Sequence, residues 1–159
     1  MTTGDEAGAA RRAVSPVVRD PAFRERVAAS FRAQAFMETL GARLVLVEPG
    51  HVEIVLPVRP ALLQQHGYLH GGALMSVADS AAGYAAMSLM GPADGVLTAD
   101  AKINLLAPVR GAAIRAAGRV VRAGRTLTVV TGDVHDGEDG AGAHLATGLF
   151  GMMRVEGLG

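Results

Sequence analysis

The spacing of apolar positions changes period along this chain, and each change predicts an element. Over residues 22–39, Phe23, Val27, Phe31, Ala35 and Met37 recur near one side while Arg24, Glu25, Arg26 and Arg32 fall elsewhere. This is an amphipathic helix ending before Gly41, with Asp20 as a cap and Pro21 in the first turn. The period then drops to two. Residues 42–47 alternate, Pro49-Gly50 makes a turn, and residues 51–58 place Val52, Ile54, Leu56 and Val58 on one face. Two antiparallel strands are expected.

Over residues 73–90 nearly every position is apolar, so a helix there has no charged face and must be buried. Ser76, Asp79, Ser80 and Gly83 are spaced three or four apart and share one side, which leaves Asp79 as the only charge on the segment. A carboxylate in such surroundings needs a partner or a chemical task. The segment is preceded by His66, Gly67, His70, Gly71 and Gly72, a loop expected to demand glycine. The unpaired N–H groups at the start of a helix can hold an anion or a developing oxyanion.

Gly91-Pro92 and Asp94-Gly95 end the helix, and four strands are expected after it, over residues 96–106, 112–123, 126–135 and 143–155. The loop at 136–142 is acidic and glycine-rich. Strands in runs, with one long apolar helix among them, imply an α+β fold: an antiparallel sheet wrapped around a central helix, with an N-terminal amphipathic helix. Residues 1–18 are small, polar and charged and are expected to form a disordered tail, with a single domain over 19–159.

Composition narrows the function classes. Fifteen basic and fifteen acidic residues cancel, so no net field selects nucleic acid or an anionic membrane. The chain has no cysteine, which excludes disulfide and thiol chemistry and fits a cytoplasmic protein. The first fifteen residues have no long apolar core and do not read as a secretory signal. A membrane span over 73–90 is disfavoured by its central Asp79 and three serines, because a mid-bilayer carboxylate costs about 2.5–3.5 kcal/mol.

Other motifs carry less. His66 and His70 are four apart, but no HExxH glutamate or third ligand accompanies them, so no metal is expected. Asp133, Asp136, Glu138 and Asp139 lack the EF-hand spacing and read as a solvated turn. There is no GxSxG for a serine hydrolase. Arg115, Arg119, Arg122 and Arg125 read as the solvated side of two strands or as contacts to phosphates. Leu62, Leu63, Met75 and Met87 suggest a greasy pocket, and Tyr84 reads as core or pocket lining.

Gln64, the run His70-Gly71-Gly72, Asp79 nine residues after His70, Gly83, and the stretch from Thr98 to Pro108 together resemble the hotdog-fold acyl-CoA thioesterases, within them the phenylacetic-acid-degradation type. The resemblance covers roughly residues 40–154. It implies a sheet wrapped around the central helix, paired subunits with active sites at their interface, and a homodimer or homotetramer. It assigns catalysis to Asp79, carbonyl polarisation to the Gly71 N–H and a catalytic amide to Gln64. His70, Gly72, Thr98 and Gly83 become substrate-binding positions, with His70 fixing the loop through hydrogen bonds.

The implied reaction is hydrolysis of an acyl-CoA to a free acid and coenzyme A, with no cofactor because coenzyme A is part of the substrate. Asp79 then acts as general base or as nucleophile while negative charge on the carbonyl oxygen meets the Gly71 N–H. The alternative is a non-catalytic acyl-CoA-binding hotdog module, a sensor or scaffold, since a fold alone does not fix activity. Such a binder gains nothing from a buried Asp79, and no DNA-binding helix pair precedes the sheet. A hotdog dehydratase expects a catalytic histidine paired with an acid in a differently patterned loop.

Overall fold

The protein's structure, a computed structural model, describes residues 17–158; most of the expected tail lies outside the described residues. The elements are α1 (Phe23–Ala33), α2 (Ala35–Leu40), β1 (Arg43–Glu48), β2 (His51–Pro57), a short 3-10 turn (Pro60–Leu62), α3 (Gly71–Met87), β3 (Asp94–Leu105), β4 (Ala113–Ala123), β5 (Leu127–Asp136) and β6 (His144–Glu156). The six strands form one antiparallel sheet in the order β1-β2-β4-β5-β6-β3. This is the α+β arrangement expected from the sequence.

The helix expected over residues 22–39 is two helices. At Gln34 the backbone leaves helical geometry, with φ −82° and ψ 91°, and restarts immediately. The break keeps Phe23, Val27 and Met37 buried while Phe36 is left exposed. Asp20, expected as the helix cap, instead closes the turn before α1: the N-cap is Ala22, without a side-chain capping bond, while Asp20 Oδ1 accepts the Ala22 N–H at 2.9 Å and Oδ2 pairs with Arg26. The Arg26 guanidinium in turn donates to the carbonyls of Met87, Met90 and Asp94, which ties α1 to the end of the central helix.

α3 begins two residues before the apolar run. Eleven of its seventeen residues are buried, so the sheet encloses the helix rather than merely touching it. From the strands, Val52, Ile54, Leu56, Ile114, Ala116, Val130, Val134 and Phe150 close on it. At Gly118 the approach is closest, because a Cβ there would run into the backbone of Ala81 and Ala82. β1 and β3 are the edges of the sheet. β3 and its neighbour β6 expose Leu97, Leu105, Leu149 and Met153, each at least 39% accessible, an apolar surface along an edge whose backbone groups are half unpaired.

The outer face of the sheet holds a polar ladder that the sequence pattern did not reveal. Glu53 is almost fully buried, paired with Arg115 and with His51 Nε2 at 2.7 Å, and Arg119 reaches both residues. Arg115 and Arg119 are therefore ion-pair partners rather than simply solvated. His144 Nε2 lies 3.0 Å from Asp133, and its ring stacks on that of His135.

Candidate active site

The loop before α3 is built around Gln64. Its Oε1 accepts the His66 N–H at 2.8 Å, its carbonyl accepts the Gly67 N–H at 2.9 Å, and Gly67 takes a positive φ of 81° to close the turn. His70 is the N-cap of α3: Nδ1 accepts the Gly72 N–H at 2.8 Å, which puts the neutral ring's proton on Nε2. Gly71 and Gly72 have helical rather than positive φ, so the glycine requirement expected for this loop is conformational at Gly67 alone. At Gly71 the constraint is steric, since a Cβ would lie 3.0 Å from Leu105 Cδ1.

The capping pattern sorts the donors. The Gly72 N–H is consumed by His70, and the Ala73 N–H by the His70 carbonyl, whereas the Gly71 N–H has no acceptor among the described residues. It therefore points a free donor from the positive end of a buried helix.

Two turns further on, Asp79 is half-buried. Thr98 on β3 donates its hydroxyl to Asp79 Oδ1 at 2.7 Å and also contacts Met152 Sδ. The strand register shifts between Thr98 and Asp100, a bulge that leaves Thr98 opposite Met152 and Asp100 opposite Gly151. Asp79 Oδ2 has no hydrogen-bond partner among the described residues. Ser76, on the same helix face, back-bonds to the Gly72 carbonyl at 2.8 Å and makes no hydrogen bond to Asp79.

Asp79, Ser80, Gly83 and Thr98 line a cavity of about 450 Å³, a size suited to a small acyl group. It continues past Tyr84 and Met87 to Gly95 and Val96, and is closed by Ser30 and Ala33 of α1 and by Gln34 at the break after it. A Cβ at Gly83 would have only Val96 within 4 Å, so the missing side chain widens the cavity. Of the four residues suggested as a greasy pocket, Met87 alone lines it. Leu62 packs on the core, and Leu63 and Met75 are exposed. Ser30 and Gln34 share the cavity with Asp79, and nothing local in the sequence connects them to it.

Gly71, Gly72, His70 and Gln64 do not line the cavity that holds Asp79. Eight helix positions separate Gly71 from Asp79, about 12 Å at 1.5 Å per residue. Among the described residues no group of three or more His, Cys, Asp or Glu is arranged to hold a metal ion, and no helix is long and apolar enough to cross a membrane.

Residues 66–143 match the thioesterase superfamily. A thioesterase family protein from Silicibacter pomeroyi is similar in structure, with TM-score 0.81 and 43% identity over 85% of this chain and 99% of that one. A putative esterase from Saccharolobus solfataricus is 30% identical over 79% of this chain and 88% of the relative. A 1,4-dihydroxy-2-naphthoyl-CoA hydrolase from Listeria monocytogenes is also 30% identical, over 58% of this chain and 75% of the relative. The chain belongs to the thioesterase superfamily and is a thioester hydrolase with the hotdog fold.

Proposed function

We propose that the protein hydrolyses the thioester of an acyl-CoA, releasing a free carboxylic acid and coenzyme A, in the manner of the phenylacetic-acid-degradation type. The observation that carries this reading is Asp79: a carboxylate fixed at one oxygen by Thr98, open at the other, on the wall of an acyl-sized cavity. The open oxygen either deprotonates a water that attacks the thioester carbonyl, or attacks it directly to give a mixed anhydride that water then hydrolyses to the free acid. In both routes the C–S bond breaks after charge has gathered on the carbonyl oxygen, and the Gly71 N–H is the donor suited to stabilise it.

One site needs the base and the donor within a few ångströms of one carbonyl carbon. Within a single protomer the two are about 12 Å apart along the helix. The reading therefore pairs Asp79 of one protomer with Gly71, His70 and Gln64 of a second copy. The exposed apolar residues on β3 and β6 suit such pairing, in a homodimer or a homotetramer. In this reading no cofactor is required, since the carboxylate and backbone donors supply the chemistry. A cytoplasmic location fits a coenzyme A substrate.

The test is turnover of Asp79→Asn against short, medium, long and aryl acyl-CoA esters. The variant keeps the shape and hydrogen-bonds to Thr98, so kcat falls by at least about a hundredfold while the thermal transition is retained. Wild-type turnover in the pure variant would make Asp79 structural. Absence of any acyl-CoA hydrolysis by the unmodified protein would favour the acyl-CoA-binding module.

A further inference from the structure

A second cavity lies toward the other end of the central helix. It encloses about 770 Å³ and shares no lining residue with the cavity that holds Asp79. Ala86, the α3 residue that lines it, follows Asp79 by seven positions, about 10 Å along the axis. No residue of the loop from Gln64 to Gly72 reaches it, so neither part of the proposed catalytic site borders this space.

Its lining divides by chemistry. Ala86, Leu89, Met90 and Val120 supply an apolar floor, the first three of them buried. Arg19, Arg119, Arg122 and Arg154 border the same space, and no carboxylate does. Two of these arginines are engaged: Arg154 pairs with Asp94 at 3.2 Å and with Glu156, and Arg119 lies 3.5 Å from Glu53. Arg19 and Arg122 have no hydrogen-bond or ion-pair partner among the described residues. Cations gather at helix C-termini to meet the last carbonyls, but that task is already filled here. Arg26, which does not line the cavity, donates to the carbonyls of Met87 and Met90. The basic wall therefore exceeds what the helix end requires. β4 also changes register within this wall, between Val120 and Arg122, a bulge of the kind that re-aims a side chain.

Thr128 adds an independent sign. It is 4% accessible, and its hydroxyl makes no hydrogen bond among the described residues. No side-chain polar atom among those residues is both sealed and unpaired, so the Thr128 hydroxyl keeps its access to the cavity that the residue lines. A buried hydroxyl and two arginines without anions are donors that lack an acceptor.

We propose that this cavity is a binding site for an amphipathic anion, a ligand with an apolar body and a carboxylate or phosphate head. The body covers Ala86, Leu89 and Met90, and the head is held by Arg19, Arg122 and Thr128. Guanidinium groups suit either head, and burial of the body adds stabilisation that a bare ion cannot obtain.

The experiment is calorimetric titration of the purified full-length protein with decanoate, decyl phosphate, decanol and inorganic phosphate, the amphiphiles kept below micelle formation. At least one of the two amphipathic anions is expected to bind about tenfold or more tightly than decanol and than inorganic phosphate. The tighter of the two identifies the head as carboxylate or phosphate. Replacing both Arg19→Gln and Arg122→Gln should weaken that ligand by about tenfold or more, and Arg19→Lys with Arg122→Lys should restore part of the loss. Thr128→Val keeps the shape and should cost about threefold or more. Gly83→Leu places a side chain in the cavity beside Asp79, where a Cβ meets only Val96, and should leave the affinity within about threefold.

Thermal transitions of all variants show that each is folded. Absence of binding by both amphipathic anions would overturn the proposal. Decanol binding as tightly as the anions would remove the arginines from it, and inorganic phosphate binding as tightly would remove the apolar floor; either result defeats an amphipathic site. Affinity lost in Gly83→Leu but kept in the double glutamine variant would put the ligand beside Asp79 and overturn the proposal as well. Every arm is read without turnover, so its outcome is separate from that of the acyl-CoA reading.

Discussion

Thr98 and Asp79, nineteen residues apart, meet through a 2.7 Å hydrogen bond from the threonine hydroxyl to one carboxylate oxygen. A hydroxyl on a carboxylate fixes which oxygen is engaged and which is left to act. Thr98 is a positioning residue in this sense. Thr98→Val keeps the volume and deletes the donor, and kcat should fall about tenfold or more, as expected for a hydrogen bond to a charged group. Thr98→Ser should restore most of the loss. Steady-state kinetics of the three proteins decides it, and equal kcat in the valine variant would remove the positioning role.

Subunit complementation tests the division of the site between copies. Asp79→Asn and Gly71→Val are each expected to be nearly inactive alone. Mixed in equal amounts after reversible dissociation, half of the dimers are hybrids, and each hybrid regains one intact site of two. Activity should therefore recover to about a quarter of the unmodified protein. No recovery in hybrids shown to form by mass spectrometry would place both groups in one protomer's site.

Gln64 already has a structural task, because its side chain closes the loop through the His66 N–H. Gln64→Ala should cost about tenfold in kcat, the scale of one lost hydrogen bond, and less than Asp79→Asn. A larger loss than Asp79→Asn would exchange their importance.

Glu53 gives the sheet a pH-dependent component. Burial pushes its carboxyl up, but the hydrogen bond and charge of Arg115, together with His51, outweigh that and hold it below the ordinary value of 4.5. The folded state therefore binds this proton less readily than the unfolded chain. Its stabilisation is complete above the ordinary carboxylate range and is lost as pH falls through the lowered folded value. Glu53→Gln should be less stable by about 1–3 kcal/mol near neutrality. The gap between variant and wild type should narrow as the pH falls below the ordinary value of 4.5, as urea unfolding at a series of pH values would report.

The sequence showed the sheet and the central helix because Val52, Ile54 and Leu56 alternate and residues 73–90 lack charge. It also singled out Asp79 and His70, where an unusual residue stands out against a uniform background, though not that His70 caps the helix. Glu53 was hidden by the same alternation. A charged residue at an outward position reads as solvated, and only the neighbouring strand supplies the arginine that covers it. The break at Gln34 was equally invisible, because glutamine is a good helix former and tertiary packing imposes the kink. Ser30 and Gln34 join Asp79 only through the folding of α1 over the cavity.

The contact at Gly118 has a bearing on how this scaffold can diversify. With no side chain between them, the β4 backbone and the backbone at Ala81 and Ala82 lie in direct contact, so the layer spacing two residues from Asp79 is set by main chain on both sides. Substitutions on the outer face of the sheet can then change that surface without displacing the carboxylate. Residues contributed by α1 can change the shape of the cavity independently of both. The outer surface, the cavity and the carboxylate are thereby open to separate mutational drift, with Gly118 as the position where an added methyl group would disturb them together.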